Sequence, residues 1–332
     1  MQTYISLFQS FDNFKSFYSK KLFNFANKIN RIMKFKILVF LLVTILFFSS
    51  CQKNRTNEKN KPTQEVSLLV PTYMESPIKE WVYFVQANHP NFKFQIVSMN
   101  DDNFHSDTTF RDFDLIFTAE NIKDNKYNYV NIASEAIVCV VSFDNPFLQS
   151  IINRGISPDD LKKIFNKPNF YYWKDFFQTD SKMNEKISIL LPSDRYALLT
   201  QLKKWLQIDT LLINTQTTDT ILNILKNQKN LLTFLPSSVV YNLDTKYRKD
   251  FLYIIPLDLN NDNWISDDEY LYDNIMILGQ AVLNKKIDTS LILNYKMIYS
   301  IDNPLKDSLI NLLNNKQNIN KNIFEKFGYF AY

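Results

Sequence analysis

The stretch Glu135-Ala136-Ile137-Val138-Cys139-Val140-Val141-Ser142-Phe143-Asp144-Asn145-Pro146, followed by Gly155-Ile156-Ser157-Pro158-Asp159-Asp160-Leu161-Lys162-Lys163-Ile164-Phe165, decides how this chain is organised. Ala136 to Val141 is an unbroken apolar run of strand type, in which Cys139 reads as a small buried hydrophobe. Ser157-Pro158-Asp159-Asp160 reads as a helix start, with proline at the first helical position and acids in the first turn against the positive end of the helix dipole. Leu161, Ile164 and Phe165 then share one face. Upstream, Ser67 to Val70 reads as a strand, and Ser76 as the N-cap of a helix with Pro77 at N1 and Ile78, Trp81, Val82 and Val85 inward. His89-Pro90 ends that helix, and Phe92 to Val97 and Phe113 to Phe117 read as further strands. This order predicts an α/β lobe with a largely parallel sheet. Downstream come a strand at Ile187 to Leu191 and a helix burying Leu198, Leu202, Trp205 and Leu206. A second helix, capped by Thr218, presents Ile221, Leu222 and Leu225, and the apolar runs Leu231 to Leu235 and Phe251 to Ile255 follow.

The chain has 332 residues, of which 45% are apolar and 15% aromatic, so it is a folded protein with room for two lobes. Its three glycines, Gly155, Gly279 and Gly328, allow no glycine-rich phosphate loop and no nucleophile elbow. Of 38 basic and 34 acidic residues, seven and one lie in residues 1–50, which leaves 31 and 33 from Cys51 onward. The body is about neutral, and nucleic acid has no electrostatic case as a partner. The two histidines, His89 beside a helix-ending proline and His105 in a polar loop, support no His-based triad and no zinc pattern, so no enzyme is expected.

Met33 to Lys36 is a short basic start, Ile37 to Phe48 an apolar run, and Phe48-Ser49-Ser50-Cys51 its end. That is a signal peptide spanning 33–50; twelve helical residues cover about 18 Å, short of the roughly 30 Å hydrocarbon core. Its end resembles the bacterial lipobox, which implies a lipidated Cys51 as mature N-terminus. Residues 1–32 read as an upstream extension from a miscalled start, and 51–64 as the lipidated cysteine and a polar tether.

The opening stretch resembles the phosphate-type solute-binding proteins of ABC transporters. Glu135 to Pro146 is similar to that family's D-A-I-x-x-x-V-N-x-x-N-P crossover. Gly155 to Phe165 with Tyr172-Trp173-Lys174-Asp175 is similar to its G-L-x-x-x-x-L-x-x-I-F…W-x-D segment. Pro192-Ser193-Asp194 stands where the family has R-S-D, and Glu325 to Tyr329 matches part of its closing motif. The resemblance implies a two-lobed type II periplasmic-binding-protein fold of α/β class with two hinge crossovers, residues 65–141 plus 272–332 forming lobe 1 and 142–271 lobe 2. It also implies an oxyanion held at helix N-termini between the lobes, with Thr72, Ser76, Thr118, Ser193, Asp194 and Arg195 as the candidate ligand residues. Two departures stand out: Ser98-Met99-Asn100-Asp101-Asp102-Asn103 replaces the glycine-rich anion loop with carboxylates that would repel phosphate, and Ala197 replaces a helix-start glycine.

Asp258 to Glu269 reads D-x-N-x-D-N-x-I-S-x-x-E, the spacing of an EF-hand loop. Asp258, Asn260, Asp262, the Trp264 carbonyl, Ser266 and Glu269 would supply oxygens to a structural Ca²⁺; Asn263 stands in for glycine at the sixth position, where the backbone must turn left-handed. The expectation is a lipid-anchored binding protein facing the periplasm, which captures a small solute, an oxyanion among the options, and passes it to a membrane permease. The alternative is a structural or interaction envelope lipoprotein of the same fold that has lost anion binding; a third reading is a calcium-sensing accessory protein.

Overall fold

The structure, a computed structural model, describes residues 63–331 apart from 105–109, 121–123, 169, 178–183, 305–307, 309 and 311–316. The upstream extension, the signal peptide, Cys51, the tether as far as residue 62, and His105 lie outside the described residues. In chain order the elements are β1 (Gln64–Pro71), α1 (Glu75–Asn88), β2 (Phe92–Met99), β3 (Leu115–Thr118), β4 (Tyr127–Ser142), α2 (Leu148–Arg154), α3 (Pro158–Asn166), β5 (Ser188–Ile189), β6 (Leu191–Pro192) and α4 (Tyr196–Leu206). They continue with β7 (Thr215–Gln216), α5 (Thr218–Leu225), β8 (Leu231–Pro236), α6 (Ser237–Val240), β9 (Leu252–Ile254), α7 (Ile275–Leu283), β10 (Ile292–Ser300), α8 (Gln317–Lys326) and β11 (Phe330–Ala331).

Strand β4 organises the molecule. Among the described residues nine strands form one mixed sheet in the order β2-β1-β3-β10-β4-β8-β5, with β9 and β11 also paired to β4. The first part of β4 pairs antiparallel with β10 as far as Ala136, opposite Ile292. From Ile137, opposite Pro236, it pairs with β8 instead. Every residue from Ile132 to Ser142 is buried. A strand covered on both faces reads as a continuous apolar run, which is why Ala136 to Val141 carries no alternation.

The largely parallel sheet expected from the sequence is corrected to a mixed one. β1 runs parallel to β2 and β3, but β10 lies antiparallel between β3 and β4. Strand β10 comes from the C-terminal part of the chain, and its place between two strands of the first part is a long-range pairing that no local pattern encodes.

The helix starts divide in the same way. Ser157 caps α3 by accepting from the Asp160 N–H at 3.1 Å, with Pro158 at N1, as expected. The expected Ser76 cap is corrected: α1 begins at Glu75 with Met74 at its N-cap, so Ser76 sits exposed in the first turn and caps nothing. A 3₁₀ turn at Thr72–Met74 leads directly into α1 and anchors its start by burying Met74. For α5 the cap is Thr217, not Thr218. Helix α1 buries Ile78, Trp81, Val82 and Val85, and the Trp81 ring meets Phe94 and Phe117 edge to face, both at 5.9 Å.

Candidate functional site

Helix α4 has an arginine at its N-cap, a residue with no acceptor for the helix's orphan N–H groups. The cap arrives from elsewhere. Asp101, in the turn after β2, accepts the Tyr196 N–H at Oδ1 (3.0 Å) and the Ala197 N–H at Oδ2 (3.3 Å). The Tyr73 phenol donates to the same Oδ2 at 3.1 Å. Asp101 is 1% exposed. Burial raises its pKa above the ordinary carboxylate range, against the lowering effect of the two backbone N–H groups, the Tyr73 hydroxyl and the Arg195 charge.

Arg195 is 6% exposed. Its guanidinium lies over the Tyr73 ring at 3.9 Å, and its Nε and Nη1 are buried with no hydrogen-bond partner. Burial works against its charge, but Glu135 and the tyrosines Tyr329, Tyr295 and Tyr73 outweigh that and move its pKa up. Glu135 is fully buried one residue before β4 changes partner. Its Oε1 accepts a short hydrogen bond from the Tyr295 phenol, and its Oε2 accepts the Ser238 N–H at 3.3 Å. Tyr295 lies beside a register shift in the β10–β4 pairing, a kind of irregularity that re-aims side chains. The Tyr329 hydroxyl donates to the Tyr73 carbonyl at 3.4 Å. Burial pushes the pKa of Tyr73, Tyr295 and Tyr329 upward, with Asp101 adding to it at Tyr73 and Glu135 at the other two, so all three remain neutral phenols. The result is a buried cluster of two carboxylates, one guanidinium and three phenols at the start of α4.

Of the ligand residues expected from the sequence, the structure places Arg195 in this cluster. Asp194 serves α5: its Oδ1 accepts the Thr218 N–H at 2.9 Å and the Thr218 hydroxyl at 2.7 Å. Thr118, buried at the end of β3, accepts the Glu120 N–H at 3.0 Å. Thr72 is exposed and donates to the Asn100 Oδ1 at 3.4 Å. Ser193 is exposed, its N–H donating to the Gln216 carbonyl at 2.8 Å. Sequence reasoning missed Tyr73, Glu135, Tyr295 and Tyr329. The signal for Glu135 was present, as a lone acid heading a six-residue apolar run; the tyrosines come from three distant segments with no shared pattern.

The 258–269 loop is a separate region, docked on the end of α2. Gly155 (φ +66°) leaves no space for a Cβ, which would run into Ile265 Cδ1 and meet the Pro256 carbonyl at 2.6 Å. Asn263 adopts φ 63°, the left-handed turn its position requires. Asp258 is buried and accepts the N–H groups of Asp262 (3.1 Å) and Asn263 (2.8 Å). Glu269 accepts the Leu259 N–H at 3.0 Å, and the Ser266 N–H and hydroxyl at 3.0 and 2.9 Å. The backbone suits a cation loop, whereas the side-chain oxygens are turned to the loop's own donors. Among the described residues no three His, Cys, Asp or Glu side chains come together as a metal site.

No protein-family model matches the chain, and no curated protein matches it in sequence. Solved structures do. A protein described as a phosphate ABC transporter substrate-binding protein from Clostridium perfringens, solved with bound phosphate, matches with a TM-score of 0.58 at 13% identity, covering 81% of this chain and 100% of that one. An ABC-type phosphate transport receptor from Vibrio cholerae matches at 0.58 and 11% identity, covering 80% and 100%. PstS from Borrelia burgdorferi matches at 0.51 and 12% identity, covering 81% and 98%. The chain therefore has the type II periplasmic-binding-protein fold. Among the described residues no helix is long and apolar enough to cross a membrane.

Proposed function

We propose that this chain is a solute-binding lipoprotein of the bacterial envelope, anchored through Cys51 and facing the periplasm, which takes a small polar solute and presents it to a membrane permease. The observation that carries this reading is Arg195: a buried guanidinium at the start of α4 with Nε and Nη1 unpaired, beside the point where β4 exchanges β10 for β8. Nitrogens so placed favour a ligand that brings hydrogen-bond acceptors, because a buried unsatisfied donor on a charged group costs more than the 1 to 3 kcal/mol or so of a neutral one. Lobes at 65–141 plus 272–332 and at 142–271 would meet at this cluster, which suits capture by closure. Phosphate is a poor candidate, since Asp101 and Glu135 already set two carboxylates against one guanidinium. A thermal-shift screen of the purified protein against small polar solutes, oxyanions included, tests the reading: a true ligand raises the midpoint with concentration and loses its effect in Arg195→Met. A membrane fraction that retains Cys51→Ala would remove the anchor.

A second reading has a specific observation in its favour. With Asp101 seated on the α4 N-terminus, the fold could serve as an envelope scaffold that no longer captures solute, and a screen without a hit would favour it.

A further inference from the structure

An arginine at the N-cap of an eleven-residue helix is a poor local choice, since Ser, Thr, Asp or Asn there would satisfy the helix directly. Here the carboxylate comes from a residue 95 positions before Tyr196. It makes the contacts a bound oxyanion would make: two successive helix N–H groups, at 3.0 and 3.3 Å, and a phenol at 3.1 Å. The phenol belongs to Tyr73, the ring on which Arg195 is stacked. A helix N-terminus alone would point to nothing, but Arg195 beside it is buried with two unpaired nitrogens.

We infer that Asp101 is a tethered anion: a carboxylate that the chain itself supplies to the oxyanion position of α4, latching the turn after β2 to that helix and excluding dissolved oxyanions from the wild-type protein. The inference rests on the proposed function in placing the site at Arg195, though transport does not enter it. Charge and geometry explain the exclusion. Glu135 and Asp101 both act on the one buried guanidinium through their charge, and both N–H groups that an oxyanion would need are occupied. Once the carboxylate is removed, the site presents two helix N–H groups and the Tyr73 hydroxyl, with the Arg195 charge stacked on the same Tyr73 ring, a donor set for a small carboxylate or a tetrahedral oxyanion.

The test uses the full chain as wild type, Asp101→Ala and Asp101→Asn, with formate, acetate, sulfate and phosphate followed by calorimetry and melting at constant ionic strength, chloride being the control. In Asp101→Ala, formate or acetate restores the melting temperature beyond chloride, and at least one of the four anions binds at least tenfold tighter than to wild type. Asp101→Asn keeps an acceptor for one N–H and gains less. A folded Asp101→Ala that responds to none of the four anions beyond chloride overturns the inference, as does a wild type that binds phosphate or sulfate as tightly as the variant does. If Asp101→Ala does not fold, Asp101→Asn decides, and no gain over wild type overturns the inference. A wild type that ignores all four anions while Asp101→Ala binds them supports the latch and removes oxyanion capture from the proposed function. A wild type that responds to a non-anionic solute, beside an indifferent Asp101→Ala, does the reverse.

Discussion

The α4 N-terminus and the 258–269 loop both spend carboxylates on backbone N–H groups, but in opposite settings. Asp101 is buried, donates nothing and holds together segments far apart in sequence. Glu269 is half-buried and closes a loop of neighbours, through Leu259 and Ser266. Burial dominates at the first site and moves the carboxylate pKa up. At the second, burial is outweighed by hydrogen bonds from Ser266, Leu259 and Asn260, which move the Glu269 pKa down. The same acceptor chemistry therefore carries opposite pH dependence according to how much water it has lost.

The largest expected effect is at Arg195. Arg195→Met leaves Glu135 and Asp101 buried without their cation, and a loss of about 3 to 5 kcal/mol is expected in urea unfolding; a loss below about 1 kcal/mol would show that the cluster is not electrostatically coupled. Next is Asp101→Ala, expected to cost about 1.5 to 3 kcal/mol through the lost charge-assisted hydrogen bonds and helix cap, and a neutral result would erase the contrast between the regions. Calcium comes third: if the loop takes it, as the EF-hand spacing of Asp258 to Glu269 leads one to expect, the Glu269 carboxylate must turn from the Leu259 and Ser266 donors to the ion. Ca²⁺ at tenfold over its Kd would then add about 1.4 kcal/mol, more than Mg²⁺ would, and nothing in Glu269→Gln. Melting curves unchanged by chelator and by Ca²⁺ would leave the loop as an acidic turn.

The smallest effect is in pH. The folded protein holds the Asp101 proton more tightly than the unfolded chain does, so this contribution is full below the ordinary Asp pKa of about 3.9 and is lost as pH rises from there through the higher folded value. Glu269 runs the other way: its contribution is present above the ordinary Glu pKa and is lost as pH falls through the lower folded value. Melting temperature followed between about pH 3 and 6 should lose the first slope in Asp101→Asn and the second in Glu269→Gln. Slopes that persist in both variants would assign them to other carboxylates.

Much of the fold was legible because its signals are local. The apolar run in β4, the Ser157 cap with Pro158, and the helical spacing of Leu198, Leu202 and Leu206 each sit within a few residues. Strand β10 was missed, although its burial alternates over part of its length, because its two neighbours come from the first part of the chain. The candidate site was legible only at Arg195. Asp101 looked repulsive when imagined beside a phosphate and turns out to be the acceptor itself, a reversal that depends on tertiary approach to Tyr196. Glu135 needed Tyr295 to explain its burial, and those two residues are 160 positions apart.

The length of β4 has a consequence for unfolding. Its 16 residues extend about 50 Å at the usual rise per residue, and both parts of the sheet are stitched to that one ribbon, β10 on one stretch and β8 on the next. Neither part can fray without leaving half of the ribbon unpaired. The amides of Ala133 to Val141 should therefore be the slowest in the chain to exchange with deuterium, opening only when the whole sheet is lost.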